Sequence, residues 1–382
     1  MYSLLKNHYV QPANKFRQGH AMVTVNSKLQ QEHDTRQQLI DMHKQQIDIK
    51  TGGLKGQIKY LDLDSIEYAM RHADKSKNEE WQYAITSLNN SFKLLDPIWG
   101  GIYQYSTRGW NMPHHCKSMA SQSGYLRLYA IAYEQFNDAK YLFAAQSIIK
   151  YIRRFLMSSD GLFYSKQDDR IGKTDPAYYF SLSEEQRQSY GIPTVDTHIY
   201  TRENGWAIEA LACYTEKTGD KLTLHQAICA ARTILKSRKI PMAGYIHESA
   251  SAIDSKELHL ADTLAIARAM LQIYLVTKDD QWLKEVKASV DFINRMFKKP
   301  SGGYAKTYLV DINKLTPQQI DENISLCRFS NQLYHVTNHL RFKEMSAHCL
   351  QYLMKSEVAT ARQEEAGILL ADEEYNYGIN IL

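Results

Sequence analysis

Four stretches of the chain close on one signal: YEQFNDAKY (133–141), YTEKTGDKL (214–222), YLVTKDDQW (274–282) and YHVTNHLRF (334–342). Each runs from a tyrosine at a helix end, through a short polar turn rich in Thr, Asn and Asp, to a large apolar residue that opens the next helix. Asn and Asp suit this junction because they cap the following helix and tolerate unusual backbone angles. Tyr214, Tyr274 and Tyr334 are spaced 60 residues apart, and the gap from Tyr133 to Tyr214 is 81. The spacing is a helical-hairpin period with an insertion in the longer interval.

A second signal alternates with the first. TGGLKG (51–56), WGGIYQY (99–105), DGLFYS (160–165), AGYIHES (243–249) and SGGYAKT (301–307) place glycine beside aromatic or aliphatic residues after a helix. Glycine there supplies the left-handed backbone of a helix C-cap, and the alternation that follows predicts a short extended segment. Loops at one end of the helices therefore differ in kind from loops at the other.

The periodicity predicts helices near 28–48, 62–73, 78–95, 117–135, 139–157, 203–217, 222–237, 258–276, 280–298, 320–336, 339–355 and 357–373. Hairpins stacked at a fixed period bury their faces against neighbours, in an open solenoid or a closed ring. Twelve helices make six hairpins, which favours closure. The predicted fold is all-α, an (α/α)6 barrel with short β segments in its loops. Residues 51–382 read as one barrel domain, joined by the first helix from an N-terminal extension over 1–50. The apolar GWAIEALACYTEKTG and ADTLAIARAMLQIYLVT suit the inner ring, and QWLKEVKASVDFINRMFKK has the charged face of an outer helix.

Composition excludes several classes. With a net charge of +4 and no clustering of Lys and Arg, nucleic-acid binding is not suggested. No apolar run reaches the roughly 20 residues that span a membrane. The five scattered cysteines read as reduced thiols, and the N-terminus lacks a signal peptide's apolar core, so a cytoplasmic protein is expected. The 26 tyrosines exceed what a helical core needs, which points to a concave surface lined in part by aromatic hydroxyls.

In such a barrel the glycine loops and the starts of the inner helices surround one mouth, a usual place for a ligand. There the sequence gathers His114, Asp168, His198, Glu203 and Asp262 as candidate acids and bases. Trp99, Tyr103, Trp110, Lys117, Gln167, Asn204, Trp206, His247 and His259 are candidate ligand contacts. Carboxylates, imidazoles and flat rings together suit a polyhydroxylated ligand. Glycoside hydrolysis would use two carboxylates, drawn from Asp168 or Asp169 with Glu203 or Asp262. Epimerisation would use an acid and a base beside a carbonyl, a task for His198, His247 or His259.

Simpler roles compete for the same residues. Asp168-Asp169 also reads as a solvated turn, Glu203-Asn204 and Asp262 as helix caps, and Trp99 and Trp110 as wedges between helices. His114-His115-Cys116 looks like a metal site, but adjacent residues rarely converge on one ion, so neither metal nor cofactor is expected.

WGGIYQYSTRGWNMPHHCKSM, YLRLYAIAYEQFNDAKY and DGLFYSKQDD resemble the helical region of the thioredoxin-domain-containing proteins of the spermatogenesis-associated type. The likeness runs from GGLKGQIKY through DTHIYTRENGWAIEALA and LADTLAIARAMLQIYLVTKDDQWL, over about residues 50–382. That region is similar to N-acylglucosamine 2-epimerase and to six-hairpin glycosidases, and the resemblance implies an (α/α)6 barrel. His114, Lys117, Gln167, Asp168, Asp196, Asn204 and Gly205 match the family pattern, whereas Cys116, Tyr103 and His198 stand where it has Glu, His and Lys. The family carries a thioredoxin-like domain ahead of the barrel, and here some 50 residues without a redox motif precede it.

The expected function is binding or processing of a carbohydrate-like small molecule by a sugar epimerase, isomerase or glycoside-processing enzyme. The alternatives are a non-catalytic barrel that partners a separate thioredoxin-like protein, and redox sensing through Cys116.

Overall fold

The computed structural model describes residues 33–74, 76–248, 257–362 and 366–378; most of the N-terminal extension and the last residue of AGYIHES lie outside them. Six helices form an inner ring: α2 (Leu63–His72), α4 (Met119–Phe136), α8 (Thr201–Thr218), α10 (Leu260–Thr277), α12 (Ile320–Thr337) and α15 (Ala366–Tyr377). Six more surround it: α1 (33–46), α3 (Glu79–Ser91), α5 (Ala139–Phe155), α9 (Lys221–Ser237), α11 (Asp280–Phe297) and α13 (Leu340–Leu353). The ring closes where α15 meets α2: Arg71 donates to Glu374 across 2.6 Å, and Gly367 lies so near Asp64 that a Cβ would sit 2.4 Å from its carboxylate. The expected barrel is therefore present, and its strands are confined to loops.

The tyrosine signal marks the turn from each inner helix to the next outer one. Asn137, Lys278 and Asn338 adopt left-handed angles (φ 50, 57 and 54°), and their N–H groups close the helix on the carbonyls of Tyr133, Tyr274 and Tyr334. Gly219 does the same on Thr215. Asp138, Asp220 and Asp279 then accept from the first backbone amides of α5, α9 and α11, as their residue type predicts.

The glycine signal marks the return from outer to inner helix. Each loop makes an antiparallel bridge: Ile47 with Leu54, Leu95 with Ile102, Met157 with Phe163, Lys239 with Tyr245, and Lys298 with Tyr304. The fourth residue of the following inner helix then grips the loop. Gln122 bonds both the N–H and C=O of Ile102, Asn204 those of Phe163 and Asn323 those of Tyr304, all at 2.7–3.0 Å. Thr263 accepts from Tyr245 N at 3.2 Å. These clamps fix the mouth loops against the ring.

The insertion implied by the 81-residue gap holds two short helices the periodicity does not show, α6 (Pro176–Ser181) and α7 (Glu184–Tyr190). Arg187 anchors them with a buried guanidinium that bonds Asp96 at 2.8 Å and the carbonyls of Phe180 and Leu182. The last predicted helix, 357–373, is replaced by the short α14 (Ser356–Ala359) and by α15, because the apolar run AGILLA that must face the ring begins only at Ala366. By length and composition α10 could cross a membrane, contrary to the sequence reading. In the fold it is a ring helix, with 61% of that window buried, and it carries Asp262 and Arg268.

Among the described residues three small sheets line the mouth. β1 (Tyr105–Thr107) pairs with β2 (Met112–His114), so Tyr105 faces His114. β3 (Lys117–Ser118), β4 (Lys166–Gln167) and β5 (Val195–Asp196) lie side by side, and β6 (Glu257–His259), β7 (Thr307–Leu309) and β8 (Lys314–Leu315) set His259 opposite Thr307.

Candidate active site

Asp262, the third residue of α10, is fully buried. It accepts from the backbone N–H of Arg202 at 3.0 Å and from His247 Nδ1 at 3.0 Å. The His247 ring stacks on Tyr200 (centroids 4.8 Å apart) and meets His259 edge-on at 5.4 Å. Tyr200 stacks in turn with His198, whose Nδ1 bonds Asp196. His259, whose Nδ1 lies 3.2 Å from Thr307 Oγ1, is the N-cap residue of α10.

The two neighbouring imidazoles have opposite electrostatics. The bond to Asp262 raises the pKa of His247 against the opposing effect of burial. Burial pushes His259 down, and the nearby Asp262 only partly offsets this. Two titratable groups whose environments push them apart are the usual arrangement of an acid and a base. Beside them Arg202 lies over the Trp206 ring at 4.8 Å and bonds Glu203 at 2.7 Å. Burial raises the carboxyl of Glu322, the third residue of α12.

Below the mouth lies a cavity of about 440 Å³ whose lining includes Asp64, Trp206 and Asp321. Its floor is a layer of acids and arginines: the ninth residue of every inner helix carries an ionisable side chain, Arg71, Arg127, Glu209, Arg268, Arg328 and Glu374 in turn. Arg127 bonds Glu67 at 2.5 Å, and Arg328 bonds Glu67, Asp64 and Glu374. Arg268 bonds Glu209 at 2.7 Å and Ser325 at 2.6 Å. Burial alone would raise Glu67, yet Arg127, Arg328 and Arg71 hold it well below the usual carboxylate range. A second cavity, of about 240 Å³, shares Arg127, Glu209, Arg268 and Arg328 in its lining and extends toward the other helix ends, so the layer divides the bore. Four arginines face Asp64, Glu67, Glu209 and Glu374, which balances the layer.

The residues predicted from sequence fall into three groups. Glu203, Trp206, His259 and Asp262 lie at or near the starts of α8 and α10, and His247 joins them from the preceding loop through its bond to Asp262. His114, Asp168 and His198 are exposed on the rim. His114 stacks on Tyr105 at 4.9 Å with its Nε2 3.7 Å from Asp169, and Asp168 accepts from the Asp169 amide.

The expectation that Trp99, Tyr103, Trp110, Lys117, Gln167 and Asn204 contact a ligand is corrected, because all six are buried in the walls with structural partners. Trp99 packs on Phe155 and Arg187, Trp110 donates to the Thr51 carbonyl, and Tyr103 packs on His115 and Phe180. Lys117 is bonded to Asp96 at 2.7 Å, Gln167 accepts from Tyr151 at 2.9 Å, and Asn204 clamps Phe163. Sequence reading missed Glu322 and the whole charged layer. Aligning the six inner helices by their first residues would have exposed the layer as a column of charges at the ninth position.

Among the described residues no cluster of three or more His, Cys, Asp or Glu could hold a metal. The free thiol of Cys116 is raised by burial, which disfavours a reactive thiolate.

No protein-family model matches the sequence, and no curated protein matches it. Solved structures do. A sugar epimerase from a ruminal bacterium superposes with a TM-score of 0.68 over 92% of this chain and 100% of its own, at 12% identity. The fold is the six-hairpin (α/α)6 barrel. Cellobiose 2-epimerase from Bacillus thermoamylovorans matches with a TM-score of 0.64 over 86% of this chain and 87% of its own, at 11% identity. A D-mannose isomerase matches with a TM-score of 0.56 over 77% and 72%, at 14% identity. At these identities the likeness concerns the fold.

Proposed function

We propose that the protein acts on a neutral sugar or sugar-like small molecule at the mouth of the six-hairpin barrel, as an epimerase or isomerase. The observation that carries this reading is the His247–His259 pair, one imidazole raised by Asp262 and the other lowered by burial, linked through Arg202, whose charge acts on His247, to Trp206 of the cavity wall. In this scheme neutral His259 removes the proton from the carbon next to the carbonyl of the open-chain sugar. The electron pair moves onto the carbonyl oxygen, which takes a proton from His247 to give an enediol. Protonated His259 then returns the proton, to the other face of the same carbon once the enediol has turned about its bond to the rest of the sugar, or to the neighbouring carbon. Neutral His247 takes back a hydroxyl proton as the carbonyl re-forms, giving an epimer or a ketose. Asp262 orients His247 and favours its cationic form. The balanced floor supports a neutral ligand, and the closed bore supports a small one. The rim groups His114, Asp168 and His198 would contact outlying parts of it. Epimerases and an isomerase among the structural neighbours support the same reading.

The test is incubation with a panel of reducing sugars in D2O, followed by NMR. The reading expects deuterium at the carbon next to the carbonyl, abolished in His259→Ala and His247→Ala. If no sugar in the panel exchanges, the reading is wrong.

The narrower resemblance to the thioredoxin-domain-containing family suggests a second role, a barrel that docks a separate thioredoxin-like protein in the cytoplasm. Retention of such a protein on the immobilised chain would support it, and no retention would end it.

A further inference from the structure

The third residue of three consecutive inner helices is an acid: Glu203 in α8, Asp262 in α10 and Glu322 in α12. Equal position along parallel ring helices puts the three at one depth around the mouth. Asp262 is satisfied by His247 and the Arg202 amide. The other two are not. Glu203 Oε1 accepts from Arg202, but Glu203 Oε2 is buried with no hydrogen-bond partner among the described residues, as are Glu322 Oε2 and Arg202 Nε. Two acceptors and one donor are thus left over on the helices that flank α10. They share one electrostatic neighbourhood, since the charge of Arg202 acts on both Glu322 and His247, and that of Glu203 acts on His247. A buried polar group without a partner is costly, so three together mark a place where a hydrogen-bonding ligand belongs.

We propose that Arg202, Glu203 and Glu322 form a subsite for two neighbouring hydroxyl groups of the sugar. One hydroxyl donates to Glu203 Oε2 and the other to Glu322 Oε2, and one of the two oxygens accepts from Arg202 Nε–H. A phosphate or carboxylate ligand would face two carboxylates here and is rejected. The raised pKa of Glu322 fits this role, because a carboxyl that keeps its proton more readily can donate to a hydroxyl as well as accept from it. The inference rests on the sugar reading above and names the group that is recognised.

The test is calorimetric binding of aldoses, ketoses and disaccharides, and of the 2-deoxy and 3-deoxy forms of the best binder. The proteins are the wild type, Glu322→Ala, Glu322→Gln and Glu203→Gln, each checked for an unchanged unfolding temperature. Glu322→Ala is expected to weaken the parent sugar by about tenfold or more. It should have little further effect on the one deoxy sugar that lacks the contacted hydroxyl, the non-additivity expected of a direct contact. Glu322→Gln, which keeps a donor and an acceptor, should retain most of the affinity. Undiminished binding by a folded Glu322→Ala, or an equal loss for every deoxy form, would overturn the subsite while leaving the sugar reading intact. Failure of the wild type to bind any sugar would overturn both.

Discussion

His247 Nδ1 lies 3.0 Å from Oδ1 of Asp262, a carboxylate with no exposed surface, and this contact is the largest influence favouring the charged imidazole against the effect of burial. A histidine raised in the folded state stabilises the fold fully below its ordinary value near 6.5 and loses that contribution as pH rises through the raised value. Asp262→Asn should therefore lower stability most at acid pH, by on the order of 1 kcal/mol for this half-exposed imidazole. The deficit relative to wild type should shrink at alkaline pH. Thermal unfolding from pH 5.5 to 8.5, with NMR titration of His247, checks both parts; a deficit that grows with pH would contradict the assignment.

The charged floor should be unforgiving of single removals. Arg328→Leu leaves Glu374 and Glu67 buried with fewer cations, so a loss of about 3 kcal/mol or more is expected. Glu67, depressed in the folded state, contributes fully above the ordinary glutamate value near 4.3 and progressively less as pH falls toward its folded value. The advantage of wild type over Glu67→Gln should accordingly be full at pH 7 and narrow below about pH 4. Urea unfolding across that range measures it.

The loop clamps should act as equivalent parts. Asn204→Ala and Asn323→Ala each strand a buried backbone N–H and C=O, with an expected cost of about 2 kcal/mol apiece. Local hydrogen exchange at Phe163 or Tyr304 should rise only in the matching variant. Exchange that rises at both loops in either variant would show that the clamps are not independent.

Asp96 faces two buried cations, Lys117 and Arg187, at 2.7 and 2.8 Å. Asp96→Asn should destabilise strongly, by about 3–5 kcal/mol, whereas Lys117→Met should cost little because Arg187 still neutralises the carboxylate. Burial lowers Lys117 to about 8, so between there and its ordinary value near 10.5 the unfolded chain binds more protons than the folded one. Stability from this group therefore rises with pH across that window. The wild type should gain on Lys117→Met between pH 8 and 10 in matched thermal scans.

By itself the sequence determined the hairpins, their number, the two kinds of turn and the closed barrel, because these follow from local chemistry repeated at a fixed period. A tyrosine, a left-handed residue and a capping aspartate specify one turn wherever they occur, and glycine beside an aromatic specifies the other. It also pointed to Glu203, Trp206, His259 and Asp262, which stand at or near helix starts, and to His247 on a glycine loop, all of which the barrel must bring to one mouth. Only the tertiary structure decided which polar side chains face that mouth. Lys117, Gln167 and Asn204 look like site residues in a linear motif, yet their partners Asp96, Tyr151 and Phe163 lie on other segments and enclose them in the walls. Arg127 and Glu67, or Arg328 and Glu374, become partners only when helices distant in sequence converge on one axis. Side-chain direction and long-range pairing are set by packing across the ring, which a local pattern cannot encode.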